Sequence, residues 1–251
     1  MRHYITIIIL LLFVSSFAQT DNTAVFNTAG EYYQKGAYED AIRQYETILN
    51  NKLESGMLYY NLANAHYKLN HVPESIYYYE KALKLNPDNI EAKKGLQIAQ
   101  QMTIDVITPL PKTWLQQLSG GIIGLFSLQT WAVLSIIGVM AFVLSFLCYY
   151  FVEQTALKRL FFTLLFISIL FTIGTYSIAH YSNYKQENEV YAILFDKTIK
   201  VFTEANAYST EVIQLHEGTK VSVTERMNDW VKIRLADGKI GWVKENTLKI
   251  L

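Results

Sequence analysis

The chain has 251 residues, 51% of them hydrophobic and 18% charged, with 22 Lys and Arg balanced by 22 Asp and Glu. Zero net charge supplies no basic face to release counterions from a phosphate backbone, which argues against nucleic-acid binding. A single cysteine, Cys148, excludes an intramolecular disulfide and a cysteine zinc centre, and the five histidines (His3, His66, His71, His180, His216) never fall into metal-ligand spacing with carboxylates, so no cofactor is expected.

The opening MRHYITIIILLLFVSSFAQT carries Arg2, an apolar run from Ile5 to Val14, then Ser16-Phe17-Ala18. That three-part pattern is a secretory signal over residues 1–18 with cleavage after Ala18, because the run is too short to span a bilayer. No Cys follows the cut, which argues against a lipoprotein.

From residue 21 to 101 the chain repeats at an offset of about 34 residues, the period of helix-turn-helix repeats. Phe26 recurs as Tyr60, Ala29 as Ala63, Tyr33 as Tyr67, Gly36 as Asn70, Ala41 as Ser75, Tyr45 as Tyr79 and Ile48 as Ala82. Small residues recur where helices cross closely and aromatics where they fill gaps. The second copy, MLYYNLANAHYKLNHVPESIYYYEKALKLNP, resembles a tetratricopeptide repeat, with Leu62, Ala63, Tyr67, Tyr79, Ala82 and Pro87 at matching places, Asn70 for the usual turn glycine and Ser75 for the usual alanine. A further helix from Ile90 to Gln101 serves as the cap that a repeat stack needs.

The resemblance implies a concave surface lined by the first helix of each pair. Tyr60, Asn64, Tyr67 and Lys68 share one side of such a helix by their spacing, with Phe26, Tyr33 and Gln34 as counterparts in the first repeat. Asn64 and Lys68 would supply hydrogen bonds and charge to a protein partner, while the tyrosines either line the groove or pack between repeats.

Residues 102–129 read as a linker, broken by Pro109 and Pro111, that runs into an interfacial segment with Trp114 at headgroup level. Uncharged stretches at 130–152 and 160–181 are each long enough to cross a bilayer. The loop between them, 153–159, contains Lys158 and Arg159 against Glu153, which places it on the cytoplasmic side. The signal sends the front of the chain outward, and an even number of spans returns the end to that side, so both soluble parts are expected in the periplasm of a bacterial inner membrane. Trp131, Tyr176, Tyr181 and Tyr184 would form the outer aromatic belt, and His180, lacking an ionisable partner within either span, reads as interfacial.

From residue 188 the pattern turns to short β-rich runs separated by turn residues, with Asp237-Gly238 the strongest hairpin signal. The string LHEGTKVSVTERMNDWVKIRLADGKIGWVKENTLKIL resembles a bacterial SH3 domain. Such domains use exposed aromatics to bind peptides or cell-wall stems. Tyr208, Trp230 and Trp242 are the candidates, and the sequence leaves open which tryptophan faces solvent. The acidic loop that grips proline-rich ligands has no counterpart beyond the scattered Glu204 and Glu211.

The fold class expected is therefore multi-domain: all-α helical repeats, a two-helix transmembrane hairpin and a C-terminal all-β SH3-like barrel. That order of modules, with the LHEGTKV and IRLADGKIGW strings, resembles BatE, the repeat-bearing family of the aerotolerance operon of Bacteroides and related bacteria. The resemblance implies a non-enzymatic membrane scaffold working beside von Willebrand-type membrane partners in an envelope complex linked to oxidative stress. A peptidoglycan anchor acting through the barrel is the alternative. Cys148 lies inside an apolar span and no Ser, His and acid cluster stands out, so no catalytic residue is assigned.

Overall fold

Two backbone positions one repeat apart set the geometry of the helical region. Gly36 and Asn70 both sit at positive φ, +79° and +61°. That conformation favours glycine and is open to asparagine at modest expense, so the Asn70 replacement preserves the turn.

The structure, a computed structural model, describes residues 22–251, and the expected signal at 1–18 lies outside the described residues. The turns join α1 (Asn22–Gln34) to α2 (Tyr38–Asn50) and α3 (Gly56–Lys68) to α4 (Val72–Leu85), with α5 (Ile90–Gln100) closing the stack. Ser55 and Asn89 start α3 and α5 by accepting from the amides of Leu58 and Ala92, each satisfying an orphan N–H of the first turn. The small residues Ala29, Ala41, Ala63 and Ser75 are fully buried where the helices cross. The Ser75 hydroxyl donates to the Val72 carbonyl, so the polar replacement of alanine is satisfied in place.

The C-terminal sheet has seven strands: β1 (Val190–Leu194), β2 (Thr198–Phe202), β3 (Glu211–His216), β4 (Lys220–Met227), β5 (Trp230–Arg234), β6 (Ile240–Lys244) and β7 (Leu248–Ile250), the last reached through a 3-10 turn at Glu245–Thr247. Their order is β3-β2-β6-β5-β4-β1-β7. Strands β1 and β7, β2 and β3, β2 and β6, β4 and β5, and β5 and β6 pair antiparallel. Alternate residues of these strands, among them Leu194, Val201, Leu215, Val231, Ile233 and Val243, fill one core. Gly238, at φ +89°, turns the β5–β6 hairpin in which Arg234 pairs with Ile240.

Residues 22–107, Tyr191–Leu235 and Lys239–Leu251 form one packed unit, so repeats and barrel are described together. Strand β1 joins them. Ala192 and Leu194 point into the barrel core, whereas Ile193, fully buried, joins the repeat core with Val72, Ile76 and Tyr79. The alternation of a strand thus gives each neighbour one face. Polar links reinforce the seam: Lys220 pairs with Glu80 at 2.7 Å, Lys84 donates to the backbone carbonyl of Leu251, and the Phe195 ring meets Tyr77 edge-on.

The second unit comprises Thr108–Val190 with Ala236–Gly238. It holds a short helix α6 (Trp114–Ile123) and two helices long and apolar enough to cross a membrane, α7 (Leu128–Phe151, 24 residues) and α8 (Thr155–Asn188, 34 residues). At 1.5 Å per residue α7 measures about 36 Å, more than the hydrocarbon thickness of a bilayer. The helices approach closely at Gly138, which faces Phe171 and Thr172. One boundary differs from the expectation. Helix α8 begins at Thr155, so Lys158 and Arg159 belong to its first turns, and the break between helices is only Val152–Gln154. The run Ala156-Leu157-Lys158-Arg159-Leu160 consists of strong helix formers, which favours winding over an open loop.

Candidate functional site

Helix α3 presents Tyr60, Asn64, Tyr67 and Lys68 on one side, as their spacing requires. They line a cleft of about 370 Å³ together with Tyr33 from α1, Tyr79 from α4, and Glu91, Lys94, Gly95 and Ile98 from α5. The cap helix therefore closes one wall. Tyr79 crosses beneath the cleft because Gly95 has no side chain: a Cβ there would lie 2.5 Å from the Tyr79 ring. Its hydroxyl donates to the Asn64 side-chain carbonyl at 2.5 Å, so the Asn64 amide hydrogens are the part available to a ligand. Burial pushes the phenols of Tyr33 and Tyr79 above their ordinary value, so both remain protonated donors. With Lys68 and Lys94 against Glu91, the lining is rich in hydrogen-bond donors and bears a small positive excess. The barrel packs on α4 through Val72, Ile76 and Tyr77, away from this lining.

Two residues expected beside the groove lie elsewhere. Phe26 packs on Tyr45 in the core of the first repeat, with ring centroids 5.5 Å apart, because the neighbouring α2 offers an apolar face there. Gln34, the last residue of α1, is exposed and does not line the cleft. Conversely, sequence reasoning missed Tyr79, Glu91, Lys94 and Ile98. A glycine inside a helical pattern was the available signal, since Gly95 marks the place where another element comes close.

A second cleft, about 940 Å³, opens at one end of the barrel between Asn206, Tyr208, Asp229, Trp230, Lys244 and Glu245. Tyr208 is completely exposed, 101%. Its loop is braced by its own hydrogen bonds: the Tyr208 amide donates to Asn206 Oδ1 at 2.6 Å and the Ser209 hydroxyl to the Asn206 carbonyl at 2.8 Å. Trp230 is half-buried at the start of β5, meeting Phe202 edge-on at 5.6 Å. Of the two tryptophans between which the sequence left the choice open, Trp242 is the one turned away from solvent. It is 8% exposed on the inner strand β6, between β2 and β5, with the Lys232 ammonium 5.5 Å from its ring. Position explains the difference: a strand end leaves one edge of a ring open, while the middle of a paired strand is covered on both sides. Of the scattered acids, Glu211 pairs with Lys200 at 3.0 Å.

The linker after the repeats adds a polar junction. Asp105 accepts from the His216 amide at 2.6 Å, from His216 Nδ1 at 2.8 Å and from the Thr219 hydroxyl at 2.7 Å. Burial alone would raise its pKa, but these donors outweigh it and hold the carboxyl below its ordinary value. Among the described residues no cluster of three or more His, Cys, Asp or Glu side chains is arranged for a metal.

Comparison with known proteins agrees with this division. Residues 56–89 match the tetratricopeptide repeat model and residues 197–249 match the bacterial SH3 domain model. Strand β1, helices α1 and α2, and the cap α5 lie beyond these matches. A stretch of 89 residues is similar to Protein CTR9 homolog of Arabidopsis thaliana at 32% identity, covering 34% of this chain. The match spans 8% of the length of that protein.

Proposed function

We propose that this chain is a non-enzymatic, membrane-anchored scaffold whose repeat groove holds a segment of a partner protein. The observation that carries this reading is the shared cleft of Tyr33, Tyr60, Asn64, Tyr67 and Lys68, walled by α5 while the barrel packs against a different surface of the repeats. Both matched modules belong to classes used for protein interaction, and α7 with α8 supplies the anchor. Lys158 and Arg159 at the start of α8 favour the cytoplasmic side for the hairpin bend, which sends repeats and barrel to the periplasm. In the bacterial envelope the resemblance to BatE makes von Willebrand-type membrane proteins the first partners to seek, in an aerotolerance complex responding to oxidative stress.

Copurification from native membranes tests the groove. The wild-type chain is expected to recover a partner that the double variant Asn64→Ala, Lys68→Ala loses at least tenfold, with both chains equally folded by circular dichroism. Equal recovery of the same partners by both chains would remove the groove from the proposal.

The barrel cleft supports a second reading, attachment to peptidoglycan. Exposed Tyr208 and half-exposed Trp230 flank a cleft that also contains Asn206, Asp229 and Asn246, an aromatic and amide surface suited to sugar rings and peptide stems. The full chain in detergent is expected to sediment with purified sacculi, and Tyr208→Ala with Trp230→Ala to remain in the supernatant. Sedimentation indifferent to both substitutions would end this reading.

A further inference from the structure

Helix α6 has an unusual position for a helix with no buried residue. Trp114, Leu115, Leu118 and Ile122 are 71%, 58%, 56% and 42% exposed. Their spacing of one, four and eight gathers them into a stripe about 100° wide, with Gln116, Gln117 and Ser119 turned elsewhere around the axis. The stripe continues into Leu125 and Phe126, exposed in the turn that follows.

This helix is built to exist where it stands. Thr113 and Gln116 form a reciprocal capping box, the Thr113 hydroxyl accepting from the Gln116 amide and the Gln116 side chain accepting from the Thr113 amide. At its other end the Trp131 indole Nε1 donates to the Ile123 carbonyl at 3.1 Å, and the Phe126 ring meets Trp131 edge-on at 5.2 Å. Trp131 belongs to the first turn of α7, so the end of α6 is tied directly to the mouth of a membrane-length helix. From Thr113 to Val152 the chain carries no charge.

We infer that α6 lies in the plane of the membrane, its Trp114, Leu115, Leu118 and Ile122 stripe sunk into the boundary between headgroups and acyl chains of the leaflet where α7 begins. The inference rests on α7 and α8 being membrane spans, and it adds a lipid-binding surface to that anchor. An uncharged amphipathic helix tethered to the end of a span has the bilayer interface within reach at every moment, and a tryptophan at its start suits that depth. The chemical partner is the lipid interface itself, recognised by apolar area and without a requirement for anionic headgroups.

Depth measurements on the full chain test this. In a Cys148→Ser background, Leu118→Cys and Gln117→Cys are labelled singly with an environment-sensitive fluorophore. The protein is reconstituted in vesicles of phosphatidylethanolamine and phosphatidylglycerol. The label at 118 is expected to be quenched at least twofold more by a shallow lipid spin label than by aqueous iodide, and the label at 117 to show the reverse. Equal iodide access at both positions overturns the inference. So does protection of position 118 that disappears when protein is diluted into excess lipid, since a second copy of the chain would then be the cover. Resistance to alkaline carbonate extraction is measured in parallel. Extraction of the wild type would refute the anchor, whereas a resistant protein with iodide-accessible position 118 would refute only the placement of α6.

Discussion

His66 shows how one buried side chain sets a pH limit. It is 7% exposed, stacks on Tyr78 and brings Nδ1 to 3.3 Å from Nδ1 of His71. Its Nε2 is buried without a hydrogen-bond partner. Burial first, then the neighbouring His71 and Lys249, lowers its pKa from 6.5 to about 4. A histidine whose folded pKa lies below its unfolded value stabilises the fold fully above pH 6.5 and loses that contribution as pH falls toward 4, because the unfolded chain then binds the extra proton. Thermal unfolding of the full chain in detergent should therefore weaken by about 3 kcal/mol across that window. His66→Phe keeps a flat ring against Tyr78 and removes the orphan nitrogen, so it should flatten this part of the profile with little change at pH 7. A variant with the same slope as wild type would show that His66 is not the titrating group.

At the scale of elements, legibility followed the length of the pattern. Repeats at a fixed offset, two uncharged runs longer than a bilayer core and β-rich runs punctuated by Glu217-Gly218 and Asp237-Gly238 carry enough residues for periodicity to identify helices, long apolar helices and an antiparallel sheet. The three residues of β7 are too few to alternate visibly, and the strand closes the sheet only by pairing Leu248 with Leu194 and Ile250 with Ala192. The groove wall from α5 was equally hidden, because Glu91 and Lys94 become neighbours of Asn64 only after the repeats stack. Strand β1 had the clearest unread signal. VYAIL is apolar on both faces, the pattern of a strand buried on two sides, and Ile193 fills the repeat core while Leu194 fills the barrel. Ile193→Ala should destabilise the unit by about 2–5 kcal/mol, as expected for a fully buried side chain cut to a methyl group. Measured by urea unfolding, its effect should reach repeat and barrel probes together, and a loss confined to either module would contradict the shared core.

At the scale of the whole repeat-and-barrel unit, an apolar strand and a polar junction hold two modules that the chain separates by the entire hairpin. The polar part is Asp105, which gathers the amide and ring nitrogen of His216 and the hydroxyl of Thr219. Its side chain is 12% exposed, so removing it strands donors in a place water reaches poorly. Its depressed pKa gives the opposite edge of the acid profile from His66: the contribution of Asp105 is complete above the ordinary carboxylate range and is lost only as pH falls through its lower folded value. Acid unfolding should accordingly proceed in two stages, His66 weakening the repeats first and Asp105 releasing the junction below about pH 4. Asp105→Ala should lower stability by about 1–3 kcal/mol at pH 7 and delete the second stage, while Asp105→Asn, which keeps one acceptor oxygen, should fall between the two. With Trp114 and Trp131 replaced by Phe, barrel and repeats report separately, through the fluorescence of Trp230 and Trp242 and through the tyrosine band of the near-ultraviolet dichroism, to which the repeats contribute most. Coincident transitions in the wild type should separate in Asp105→Ala, the barrel melting at the lower temperature, because the junction couples the two modules without contributing to either core; transitions that stay coincident and unshifted would show that Ile193 and its neighbours bind the modules unaided.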